Sequence, residues 1–247
     1  MHKITIYPGF DKDHNPENFD VLNLYPSKIY AIVGNTGSGK SRLLKDIEQL
    51  VNKDSISKRV VTIDDQQIDI EQRFTFTNQM IAHLSQNMRF TLDITVDEFI
   101  NLHKSCRKKD IPNSEVIHLA NTITAEPIHS SMSLNLLSGG QSRALMIADI
   151  ACICDSPIVL IDEIENAGID KMKAMYALCK QDKIILIVTH DVHTALLANE
   201  RIIMNNGSIS MILAKNKAEE TLCKQLGVAY QKQLDMQKRL RTGEHCI

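Results

Sequence analysis

The sequence predicts an α/β fold with a mainly parallel central sheet, a small antiparallel β part and an inserted helical subdomain. Three observations carry this. Short apolar runs rich in β-branched residues recur between helical stretches, at residues 29–33, 60–63, 158–161 and 184–188. Such runs read as central strands buried on both faces, which points to parallel pairing. The first segments alternate instead: residues 3–7 lead to Pro8-Gly9, and residues 19–24 lead to Tyr25-Pro26, so both read as a smaller antiparallel part. Between about Asn87 and Asp149 the pattern turns helical, with residues 95–104 and 113–122 as helices and Pro112 and Pro127 as punctuation.

Composition narrows the function classes. A chain of 247 residues with 43% hydrophobic and 23% charged residues can bury a full core, and its length suits one large domain or a domain with a subdomain. The formal net charge of -2 gives no bulk attraction to nucleic acid or anionic membrane, so no nucleic-acid partner is expected. No apolar run reaches the roughly 18 residues that span a bilayer. The start MHKITIYPGF lacks the apolar region of a signal peptide, and the expected location is cytoplasmic. Cys106, Cys152, Cys154, Cys179, Cys223 and Cys246 form no C-x-x-C pair and read as reduced thiols. Cys152 and Cys154 fall in a predicted helix, where positions two apart point to different faces. The nine histidines show no H-x-x-x-H grouping, so a metal held by protein side chains alone is not expected.

Gly34-Asn35-Thr36-Gly37-Ser38-Gly39-Lys40-Ser41 matches the P-loop pattern G-x-x-x-x-G-K-[ST] between a predicted strand and a predicted helix over residues 42–50. The glycines let backbone N–H groups close around phosphates. Lys40 is expected to reach the β- and γ-phosphates of ATP, Ser41 to ligate Mg²⁺, and the helix N-terminus to add its positive field. Mg²⁺ also needs carboxylates. Residues 158–163 supply them as an apolar strand ending in Asp162 and Glu163, with Asp162 the candidate for the Mg²⁺ shell and Glu163 for the base acting on the attacking water.

Leu137-Ser138-Gly139-Gly140-Gln141 then selects one class of P-loop protein. With it the chain resembles the ATP-binding-cassette family over about residues 4–212. The resemblance implies that Ser138, Gly139, Gly140 and Gln141 open a helix facing the γ-phosphate held by the opposite subunit. It implies that Gln86, followed by Thr95-Val96, senses Mg²⁺ and the attacking water, and that His190 in Val188-Thr189-His190-Asp191 contacts the γ-phosphate. Asn166-Ala167-Gly168-Ile169-Asp170 resembles the loop that crosses the dimer seam. Ile164 stands where the family usually has Pro, and the run from Asp162 to Asp170 is one residue longer than the common spacing. Phe10 is expected to stack on adenine, with Tyr7 second.

The expected organisation is a cassette over 1–214, with the helical subdomain at about 87–149, and a charged helical tail over 215–247 carrying Leu222, Leu226 and Leu234. Two functions fit. The first is the ATP-hydrolysing subunit that drives a membrane transporter, paired with a second copy or a homologous cassette and with a separate permease. The second is a soluble cassette ATPase remodelling a cytosolic partner in cofactor or metalloenzyme assembly.

Overall fold

A computed structural model of the chain describes residues 1–86, 88–164, 168–179 and 182–245. Its centre is a six-stranded sheet in which β3 (Lys28–Val33), β5 (Ile81–Leu84), β6 (Ile158–Asp162), β7 (Ile184–Val188), β8 (Glu200–Asn205) and β9 (Ser208–Ala214) stand in the order β5-β6-β7-β3-β8-β9. All neighbouring pairs are parallel except β8 with β9. A second, three-stranded antiparallel sheet places β1 (Ile4–Tyr7) between β2 (Leu22–Leu24) and β4 (Val60–Ile63).

β4 corrects the expectation that residues 60–63 join the parallel sheet. All four of its residues are buried, because Val61 and Ile63 share a core with Ile4 and Ile6 and with Leu43, Leu44 and Ile47 of α1 (Lys40–Glu48). An apolar run records that both faces are covered, and covering does not distinguish parallel from antiparallel pairing. β5, β8 and β9 were not singled out in the sequence. β5 is only partly buried over three of its four residues, and β9 is an edge strand exposed over most of its length.

After α2 (Ile70–Met80), the predicted helices form as α3 (Val96–Arg107) and α4 (Asn113–Ile123). Thr95 starts α3 through a capping box with Glu98. Their apolar residues Val96, Ile100, Val116, Ala120 and Ile123 pack with Ala144, Leu145 and Ala148 of α5 (Gly139–Cys152), and this cluster continues into Val159, Ile161, Ile185 and Ile187 of the sheet. The inserted helices therefore share their core with one face of the sheet, while α1 covers residues of the other. Cys152 ends α5 and Cys154 lies beyond it, buried, so the two are not both helical. After α6 (Lys171–Cys179) and α7 (Val192–Leu197), the chain ends in α8 (Lys217–Thr242), which has no fully buried residue. Among the described residues no helix is long and apolar enough to cross a membrane, and no group of three His, Cys, Asp or Glu side chains stands together as a metal site.

One buried polar cluster fixes how these layers meet. Arg59 is completely buried; its Nε and Nη2 donate to Glu17 at 2.8 and 2.6 Å, its Nη1 donates to Asp46 of α1 at 3.0 Å, and Nη2 also reaches the Gly207 carbonyl at 2.5 Å. Glu17 in turn accepts from the Gly9 and Ile209 amides. Removing one member of a buried ionic cluster leaves uncompensated charge. Arg59→Leu is therefore expected to lower stability by about 3–5 kcal/mol in urea unfolding; a loss under about 1 kcal/mol would show that water reaches Glu17 and Asp46.

Candidate active site

The ends of three adjacent strands meet at one place. β3 and β7 pair so that Ile32 lies beside Val188, and β6 and β7 pair so that Asp162 lies beside Val188. The segments leaving these strands, 34–41, 163–164 and 189–190, thus emerge together at the carboxyl edge of the sheet, where open α/β sheets form their crevices.

The segment after β3 is a glycine-dependent cradle. Gly34 has φ 151°, and a Cβ there would lie 2.4 Å from the Met204 carbonyl; Gly39 has φ 103°, and its Cβ would lie 2.8 Å from Gly207 Cα. Neither position admits a side chain without moving backbone. Ser38 is buried and its carbonyl accepts from the Gly207 amide at 2.8 Å, while Asn35, Thr36, Gly37 and Ser41 are exposed. Lys40 folds back, its Nζ donating to the Gly34 and Asn35 carbonyls at 2.8 and 3.0 Å. Burial pushes the Lys40 pKa down, and the carboxylates of Glu163 and Asp162 act in the opposite sense. A cradle at a helix N-terminus, with an ammonium beside it, fits a phosphate chain, and Ser41 with Asp162 could hold a divalent cation beside it.

Glu163 is the strained residue of the site. It adopts φ 50°, in the left-handed region, while its amide donates to the Val188 carbonyl at 3.0 Å. A non-glycine residue there costs about 1–3 kcal/mol, and such strain clusters at functional sites. Gln86 Nε2 donates to Glu163 Oε2 at 2.5 Å, and His190 Nε2 stands 3.9 Å from Glu163 Oε1. Two residues distant in sequence are brought to one carboxylate.

The remaining expected residues divide. Ser138 caps α5, accepting from the Gln141 amide at 3.2 Å while Gln141 Oε1 accepts from the Ser138 amide at 2.9 Å. The Ser138 hydroxyl donates to Glu126 at 2.6 Å, and Gln141 Nε2 donates to the Pro127 carbonyl at 2.8 Å. Gly139 and Gly140 form the first turn. The signature segment is thus tied to its own helical part and not to the P-loop of the same chain. Asn166 and Ala167 lie outside the described residues. Asp170 donates its amide to the Ile123 carbonyl at 2.8 Å, and Ile169 bridges to Thr124. Phe10 is 40% exposed, on a loop tied to the P-loop: the Lys12 ammonium donates to the Gly37 carbonyl and the Lys12 amide to Asn206. Tyr7 ends β1, beside Val60.

Sequence reasoning missed three residues here: Lys12, Glu126 and Arg143. Arg143 Nη2 donates to the Asp162 carbonyl at 2.6 Å and Nη1 approaches the Gln86 carbonyl at 3.4 Å, so α5 is fastened to both arms around Glu163. Its signal was present: an arginine two residues after Gln141, directly followed by the apolar run 144–148.

The fold, the cradle and the acid at the strand end define a P-loop nucleotide-binding cassette. The chain belongs to the ABC transporter family, whose model matches residues 19–166. It is 45% identical over 246 residues to an uncharacterised ABC transporter ATP-binding protein, MJ0121, of Methanocaldococcus jannaschii, covering 99% of this chain and 94% of that relative. It is 27% identical to the zinc import ATP-binding protein ZnuC of Histophilus somni, over 76% of this chain and 66% of that protein. Among solved structures it resembles the ATP-binding cassette MJ0796 in a dimeric post-hydrolysis state bound to ADP and Pi. There the TM-score is 0.65 at 20% identity, over 86% of this chain and 99% of that one, a likeness of fold.

Arg143→Lys keeps the charge but loses the fork that spans two carbonyls. ATP affinity is expected to stay within about twofold while ATP turnover falls about 10- to 100-fold, because a small misplacement of reacting groups is costly. Unchanged turnover in a steady-state phosphate-release assay would show that Arg143 only packs.

Proposed function

We propose that this chain is the Mg²⁺-dependent ATPase subunit of a membrane transporter, working as a dimer at the cytoplasmic face beside a separate permease. The observation that carries the reading is the convergence of Gln86 and His190 on the strained Glu163 carboxylate beside the P-loop. In it, residues 34–41 hold the phosphates through backbone N–H groups and Lys40, and Phe10 stacks on the adenine. Glu163 accepts a proton from the attacking water, Gln86 orients that water, and His190 contacts the γ-phosphate. Ser41, Asp162 and Gln86 would hold Mg²⁺, which would supply charge stabilisation on the phosphates.

The second copy, or a homologous cassette, supplies Ser138, Gly139, Gly140 and Gln141 to the same nucleotide. This accounts for a signature segment bonded away from its own P-loop, and the dimeric state of MJ0796 supports it. In that arrangement residues 1–214 form the cassette, with a helical subdomain over about 87–149, and 215–247 form a tail. The transporter names of the relatives favour this reading over a soluble remodelling ATPase.

Two experiments test it. Glu163→Gln is expected to keep ATP bound while turnover falls by about 100-fold or more, the usual share of a general base. Light scattering should then show an ATP-dependent doubling of mass. Turnover at the wild-type rate would exclude Glu163 as the base.

Ser138→Arg places bulk in the seam and leaves the P-loop intact, so ATP should bind while dimerisation and hydrolysis are lost together. Mixed with Lys40→Ala, it yields dimers with one composite site intact, and ATP-dependent association should return in part. Wild-type turnover by Ser138→Arg alone, without dimers, would show that the segment is only a helix cap.

A further inference from the structure

The ATPase reading gives α8 no task, yet this helix is seated on the cassette at a defined point. The Tyr230 ring faces the Lys171 ammonium 4.6 Å from its centroid, its hydroxyl accepts from the Lys171 amide at 3.2 Å, and its centroid lies 5.8 Å from the His193 ring. Gly227, three residues earlier on the same face, also lies over His193: a Cβ there would stand 3.6 Å from His193 Nε2, an ordinary contact.

What lies under Tyr230 connects two functional loops. Lys171 follows Asp170 and is 5% exposed; its Nζ donates to Asp191 Oδ2 at 2.6 Å. Asp191 follows His190, and the same oxygen accepts from the Thr194 amide and hydroxyl at 2.7 Å each, capping α7. Burial works against the charged Asp191, but the Lys171 and Thr194 bonds outweigh it and hold the carboxyl below its ordinary pKa. A shielded ion pair is of use only where further groups fix its geometry. Tyr230 does so by covering the cation with its ring and occupying the amide of the same residue. On the other side, Asp170 and Ile169 are bonded to Ile123 and Thr124 at the end of α4.

We propose that Tyr230 is a positioning residue for ATP hydrolysis: it closes the C-terminal helix over the Lys171–Asp191 pair and so fixes the His190 loop against the loop ending in Asp170. This deepens the ATPase reading and rests on it. Tyr230 acts through Lys171 and Asp191, so its contribution is to the placement of His190, hence to the chemical step and not to ATP binding.

The test uses full-length variants. Tyr230→Leu keeps apolar bulk on α8 but removes the cation contact and the hydroxyl; kcat is expected to fall about tenfold with KM for ATP within about twofold. Tyr230→Phe keeps the ring over Lys171 and should recover kcat to within about threefold of wild type. An active wild type with unchanged kcat in Tyr230→Leu removes the inference alone, and so does a parallel loss of kcat, ATP affinity and Tm, which marks ordinary packing. A wild type without ATPase activity removes the ATPase reading and this inference with it. If Tyr230→Leu does not fold, Tyr230→Met decides by the same comparison: a fall in kcat of about tenfold at unchanged KM for ATP supports the proposal, and unchanged kcat overturns it.

Discussion

The buried guanidinium of Arg59 joins three pieces of chain that no secondary-structure element connects. It binds Glu17, which holds the amide of Gly9 next to Phe10; Asp46, on the helix that begins at Lys40; and the carbonyl of Gly207, whose amide donates to Ser38. The loop of Phe10, the P-loop helix and the β8–β9 turn are thereby fixed to one planar group with directed donors. A hydrophobic contact would hold the same elements together without setting their angles. The close approach of Gly39 to Gly207, which leaves no room for a Cβ, depends on this fixed spacing.

The parallel sheet provides the second constraint. Registers among β3, β6 and β7 bring Val33, Asp162 and Val188 to one edge, and hydrogen bonds on both sides of β7 leave them little freedom to slide. A rigid edge of this kind can hold Glu163 in an unfavourable backbone conformation, since its amide remains bonded to Val188. Arg143 extends the rigidity to α5, so the helix that begins at Ser138 is coupled to the acid at the end of β6. The acid at the end of β6 and the start of α5 then share one mechanical connection.

The signature end of α5 is held differently from the P-loop. Ser138 is engaged by Glu126, in the connection after α4, and that connection is bonded to Ile169 and Asp170. Any ligand that takes the Ser138 hydroxyl as a donor must displace the Glu126 carboxylate. The contact belongs to the long segment between α4 and α5, where loop length alone says nothing about which side chains return to the helix N-terminus.

Local patterns determined much of this protein. The P-loop was legible because cradling phosphate demands glycine at fixed offsets, and the strands at 29–33, 158–161 and 184–188 because burial on both faces demands unbroken apolar runs. The helix start at Ser138 was implied by the resemblance carried by residues 137–141, and the structure closes it with a cap to Gln141, three residues on. The tertiary structure alone decided what depends on partners distant in sequence. The pairing of β4 with β1 could not be read, since an apolar strand carries no mark of its neighbour's direction. β5 went unseen because His83 interrupts its apolar residues and it is only partly buried; β9 does carry an apolar run, residues 211–214, but that run is exposed at the sheet edge. Arg59, Arg143 and Tyr230 are single residues of common types, and each acquires its role only when folding removes water and brings carbonyls, carboxylates or an ammonium within hydrogen-bonding distance.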